Sequence, residues 1–252
     1  MPIDYARRLT GKSRTATGNR QLGWALAFIA GATNAGAFLA VRQYTSHMTG
    51  IVSSMADSLV LGQFRTAAAA LGALLSFLLG AAVSAVLVNY ARRRQLQSEF
   101  ALPLLLEAGL LLVFGLLGAW LSEIHSLFVS VTVMLLCFMM GLQNAVITKV
   151  SRSVIRTTHV TGVVTDIGIE LGKLLYWNRL QTDPSLRVTA DRDRLTVLSL
   201  LMLSFFSGGV IGALGFQLIG YAMTVPLAVI LIILAGVPAA DDIRAYLGKN
   251  DS

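Results

Sequence analysis

The stretch SHMTGIVSSMADSLVLG, residues 46–62, decides how this chain is threaded. It lies between an apolar block at 22–41 and another at 66–90, and the second block ends on Arg92, Arg93 and Arg94. Lys and Arg collect on the cytoplasmic side of membrane proteins. Arg7, Arg8, Lys12, Arg14 and Arg20 put that mark ahead of the first block. Were 46–62 a further span, the arginine triplet would land on the opposite side. Residues 22–63 are therefore expected to make one net crossing, with the SHMTG segment as a half-helix, a re-entrant piece or a surface helix.

Composition places the chain in a bilayer. Of 252 residues, 55% are hydrophobic and 13% charged, against about 25% charged in a soluble domain. The mean hydropathy is +0.70. Blocks such as LLLVFGLLGAWL (110–121) and LAVILIILAGV (227–237) belong to segments near the ~20 residues that span a hydrocarbon core. The formal charge of +7 sits at block ends and forms no stripe with interleaved aromatics, so a lipid bilayer and not nucleic acid is the expected partner. The single Cys137 allows no intramolecular disulfide. The block at 22–41 is too long for a cleaved signal and reads as a retained first helix.

The SHMTG letters recur as THVTG at 158–162, an offset of 112. Likewise GATNA (31–35) matches GLQNA (141–145) at 110, LSFLLGAAVSA (75–85) matches LSFFSGGVIGA (203–213) at 128, and PLLL (103–106) matches PLAV (226–229) at 123. Most of the jump from 112 to 128 falls on the polar linker 178–194, present only in the second half. Four matches in one order imply duplication. The expected organisation is a cytoplasmic tail (1–21), a first membrane repeat (22–121), a second repeat (127–240) with a cytoplasmic loop at 178–194, and a cytoplasmic tail (241–252). Apolar segments fall near 22–41, 47–63, 66–90, 101–121, 127–148, 159–177, 195–219 and 222–238. The fold expected is all-α, with about six transmembrane helices and two broken or re-entrant segments. Three crossings per repeat make it an inverted internal repeat, an architecture of secondary transporters. Gly72, Ser76, Gly80 and Ser84, and again Ser204, Gly208 and Gly212, recur every four residues and read as close helix–helix contacts.

GATNAGAF, SHMTG, GLQNA and RTTHVTG together resemble the YoaK-like family of bacterial inner-membrane proteins of unknown function, over roughly residues 20–240. The resemblance implies a multi-pass protein of the bacterial cytoplasmic membrane with about six helices. It supplies neither a substrate nor a catalytic residue.

Candidate site residues follow from the repeat. A Ser or Thr capping a helix start, with a glycine beside it, leaves backbone N–H groups and the helix dipole free for an anion. Asn34, His47, Thr49 and Gly50 in the first half, and Asn144, His159, Thr161 and Gly162 in the second, are the expected substrate-binding set, meeting in one polar cavity between the halves. The bland alternative is that they complete capping. The histidines fit proton coupling or a hydrogen bond across the repeat interface; the asparagines either bridge the halves or bind ligand.

Ionisable groups inside apolar segments are candidates for proton or ion coupling. They are Asp57, Glu107, Asp166, Glu170 and Lys173. Asp166, Glu170 and Lys173 share one helix face by spacing, and Lys173 also suits plain neutralisation of Glu170. Asp57 aligns with Ile169 and Glu107 with Ile230, so neither has an acidic counterpart. No metal-ligand spacing or cofactor motif is present, and neither metal nor cofactor is expected. The chain is expected to be no enzyme but a permease, transporter or channel-like, for a small solute or ion, with an anion mildly favoured and a homo-oligomer compatible. A membrane scaffold or sensor is the alternative, and a His/Asp membrane enzyme a weaker one.

Overall fold

A computed structural model of the chain describes residues 16–96, 98–121, 125–150, 158–177 and 187–250. The described residues form helices and connections, with no strand among them. In chain order the helices are α1 (Ala16–Val41), α2 (Met48–Val60), α3 (Phe64–Arg93), α4 (Ala101–Leu121), α5 (His125–Val150), α6 (Val160–Leu175), α7 (Arg192–Ile219) and α8 (Thr224–Asn250). A 3-10 turn, Gly220–Met223, separates the last two. The order long, short, long, long occurs twice, as the repeated letters imply. Helices are the form these apolar stretches must take, because each backbone N–H and C=O is then satisfied without water.

The ends run further than the apolar blocks. α1 begins at Ala16, inside the predicted tail, and α8 continues through Asn250 across the other. Helical hydrogen bonding does not stop where hydrophobicity does. Residues 1–15, 251–252, the segment around Glu123 and positions 178–186 of the predicted loop lie outside the described residues.

Among the described residues five stretches are long and apolar enough to cross a membrane: Thr17–Val41, Phe64–Arg93, Ala101–Ala119, Val129–Val150 and Arg192–Gly236. The last holds both α7 and α8, and the chain reverses between them at Gly220, whose φ of 59° suits glycine. Near that reversal, methyl groups on Gly115 and Gly118 of α4 would strike Thr224 and Tyr221. At the far end of α8, Asp242 accepts a hydrogen bond from the Ser98 N–H at 3.0 Å, just ahead of α4. α8 therefore returns along α4, and the six crossings expected are carried by five apolar stretches.

Glycines place the helices. A methyl on Gly31 would overlap the Phe205 carbonyl oxygen, and one on Gly208 the Phe28 carbonyl oxygen. Between α3 and α5 the same exchange repeats: Gly80 faces the Phe138 carbonyl, and Gly141 faces that of Phe77. The repeat maps one set onto the other, since 31, 28, 80 and 77 become 141, 138, 208 and 205. Each half's first helix thus packs on the other half's third helix. The pairs run parallel: the Trp24 indole donates to the Val197 carbonyl at 3.3 Å near the start of both α1 and α7, and Gly36 meets Phe216 near their ends. In α3 and α5, Gly72 lies by Met134, and Lys149 donates to the Ala85 carbonyl at 3.4 Å.

α1 and α5 oppose one another. Gln143, near the end of α5, donates to the Leu26 carbonyl in the first half of α1 at 3.3 Å. Val41 at the end of α1 shares a cavity with Ser130 at the start of α5. The halves are therefore inverted about an axis across the helices. One end of the bundle gathers Arg20, Arg92, Arg93, Arg94, Lys149 and Arg192. Between the ends, large apolar side chains such as Leu79 and Val86 of α3 stay 60% and 66% exposed, as a lipid-facing surface requires.

Candidate functional site

After α1 the chain turns back on itself. Arg42 adopts φ 57°, a left-handed conformation that stops the helix and reverses direction. Tyr44 stacks on Phe38, ring centroids 4.7 Å apart. The Ser46 hydroxyl then donates to Asn34 Oδ1 at 3.1 Å, two turns back along α1. Ile51 is buried against Ala73 of α3 and Cys137 of α5. Ala73 is nine residues on from Phe64, about 13 Å along the helix, so α2 starts at depth and climbs back to the end it came from. The segment 46–62 is re-entrant.

The second copy repeats the junction. Thr158 donates to Asn144 Oδ1 at 2.9 Å, while Asn144 Nδ2 donates to the Met140 carbonyl at 2.8 Å. Val163, the counterpart of Ile51, is buried. Asp166 of α6 pairs with Arg194 at 3.0 Å, and Glu170 accepts from the Asp191 N–H at 2.8 Å, so α6 leads out to the basic end where α7 begins.

The N-cap residues are His47 and His159, and neither makes a side-chain cap hydrogen bond. This corrects the expected capping by Ser or Thr: the hydroxyls that precede the histidines are spent on the asparagines. Each imidazole lies over the first turn of its helix, where a methyl on Gly50 would strike the His47 ring and one on Gly162 the His159 ring. Glycine at the third position after histidine is room for that ring. Thr49 and Thr161 are exposed on the same first turns.

The asparagines do not bridge the halves, since each bonds within its own. Nor do the two histidines line one cavity: His47 lines a cavity that His159 does not. A cavity of ≈ 580 Å³ opens at the first junction, lined by Arg42, Tyr44, His47, Gly50 and Ser54 with Thr66 of α3 and Ser130 of α5. Asn144, His159, Thr161 and Gly162 do not line it. The single shared cavity expected from the repeat is replaced by two junctions. Arg42 and His47 among the lining residues, with the N-terminal end of the α2 dipole, suit the cavity to negative charge.

The coupling candidates separate clearly. Asp57 is exposed near the end of α2. Glu170 is buried but paired with Lys173 at 2.8 Å. The Lys173 hydrogen bond, helped by the Asp191 N–H, holds its carboxyl below the ordinary carboxylate range, so it is ionised at neutral pH. Asp166 is likewise paired. Glu107 differs: it is fully buried in α4, and neither carboxyl oxygen has a partner. Among the described residues no three His, Cys, Asp or Glu side chains gather where a metal would sit.

Two polar residues went unchosen in the sequence. Arg42 is a cation following an apolar block at the end away from the basic cluster, a departure from the charge rule that marks it. Gln143 stands where the first repeat has Thr33.

A family model described as "Protein of unknown function (DUF1275)" matches residues 22–237, in keeping with the resemblance seen in the repeated motifs. No curated protein and no solved structure matches the chain.

Proposed function

Since the chain belongs to the DUF1275 family across residues 22–237, a family that brings no activity with it, we propose from geometry alone that it is a permease for a small anion. The observation that carries this reading is the cavity at the start of α2, which Arg42, His47 and Gly50 line and where the helix has no side-chain cap. A helix that enters part-way and stops leaves polar groups at depth, which discontinuous helices in transporters present to solutes. The inverted twin junction at the other end supplies the matching half of an alternating-access cycle. The basic end is the cytoplasmic end of a bacterial inner-membrane protein by the charge rule.

The test is uptake of radiolabelled small carboxylates and inorganic phosphate into liposomes holding the purified chain. His47→Ala and Arg42→Gln should each lower uptake about 10-fold or more, the scale of a lost charge-assisted contact. Helix content should be unchanged. Uptake no greater than in protein-free vesicles, or indifferent to both substitutions, would sink the proposal in favour of a membrane scaffold or sensor.

A further inference from the structure

Three buried polar residues with unpartnered atoms lie at one depth on three mutually packed helices: Ser84 Oγ, both Glu107 oxygens and Gln143 Oε1. Ser84 stands nine residues before the end of α3, Glu107 six after the start of α4, and Gln143 seven before the end of α5. At about 1.5 Å per residue these are about 9–14 Å from the basic end. All three are 0% exposed.

The other half does not repeat this layer. Offsets of 128, 123 and 110 map Ser84 to Gly212, Glu107 to Ile230 and Gln143 to Thr33. The inverted counterpart thus lacks the acid, the amide and one hydroxyl; there α7 packs on α1, while α8 packs on α4. Ile230 is 36% exposed, whereas Glu107 is sealed. Both α3 and α5 pack on α4, whereas among the described residues α8 has no comparable packing on α7 or α1. The acid is therefore sealed on the side of α3 and α5, the helices that carry Ser84 and Gln143.

Among the described residues no cation is paired with it. The other ionisable groups described on the elements packed against α4 are Cys137 and Lys149 of α5, Tyr90 and the arginines ending α3, Arg65 exposed at the opposite end of α3, Tyr221 of the 3-10 turn and Asp242 of α8. Lys149 is held by Ala85 and Asn89, Arg92 pairs with Glu99, Arg94 lies over Tyr90, and Asp242 holds Ser98. A lone carboxylate in such a place would cost far more than the neutral acid.

We propose that Glu107 is an internal proton site: neutral in this packed state, and releasing its proton to water when the α4–α5 face opens toward the basic end. In that step the acid O–H bond breaks, water takes the proton, and the carboxylate left behind is hydrated. What the proton drives rests on the permease reading; the site itself does not.

The test reads the acid directly in the whole chain in liposomes. Infrared spectra should show a protonated-carboxyl band at neutral pH that shifts in D2O within minutes and disappears in Glu107→Gln. Dicyclohexylcarbodiimide, which attacks protonated carboxyls in apolar surroundings, should modify Glu107 as located by mass spectrometry. Should Glu107→Gln not fold, the labelling in the native chain and in Gln143→Leu decides. A missing band and adduct would show an ionised residue and overturn the proposal. A band that resists deuterium for hours would show a sealed structural acid and overturn it equally. Absent anion uptake with the band and its exchange intact would fail the permease reading alone.

Discussion

Asn34 and Asn144 each hold a hydroxyl that precedes a helix start, Ser46 at 3.1 Å and Thr158 at 2.9 Å. A net hydrogen bond of this kind contributes about 0.5–1.5 kcal/mol. Asn34→Ala is expected to lower the thermal midpoint in detergent by about 2–4 °C per kcal/mol lost, with Asn34→Asp milder because it keeps the acceptor. Adding Ser46→Ala to Asn34→Ala should cost little more; fully additive losses would show that the two residues do not act as a pair. The repeated Asn and Ser/Thr letters were legible in the sequence, but their pairing was not. It depends on a reversal at Arg42, a non-glycine residue at positive φ, and nothing in the letter R announces that conformation. The placement of the histidines was not legible for a related reason: a ring lying over a glycine and a ring reaching across an interface leave the same pattern of residues.

For the helices, the decisive contacts are the four reciprocal glycine–carbonyl approaches. Backbone cannot yield to a methyl group as a flexible side chain can. Gly80→Ala should therefore destabilise the protein by about 1–3 kcal/mol, despite the better helix propensity of alanine. Gly109→Ala in α4, where nothing lies within 4 Å of the added methyl, should be neutral or slightly stabilising. Thermal unfolding of the two variants in one detergent makes the comparison, and equal midpoints would contradict the packing. The small-residue spacing announced close approach; it did not announce the partner. A stripe on α3 packs equally well against a neighbour in sequence or a helix from the other repeat, and only the assembled structure selects α5.

Taken as one body, the molecule puts its basic cluster (Arg20, Arg92, Arg93, Arg94, Lys149 and Arg192) at one end and the exit of α2 at the other. Cysteines placed at 93 and 194 on a Cys137→Ser background should react with an impermeant maleimide from the same side of sealed vesicles, and a cysteine at 62 from the opposite side. Position 62 reacting together with 93 would refute the inverted arrangement. Charge counting was enough to reach this topology because hydrocarbon tolerates so few ways of threading a chain. The exchange of helices between halves also sets a schedule. The partner of α1 starts at Arg192, 151 residues beyond Val41, and at 5–20 residues per second its synthesis lags by roughly 8–30 s. Asn34 waits far less, since Ser46 follows within 12 residues. The polar group on the first helix is thus covered almost at once, while the Gly31–Gly36 face stands in bare lipid until the ribosome has nearly finished. Small apolar residues there must be harmless to lipid for seconds before they are ever a contact.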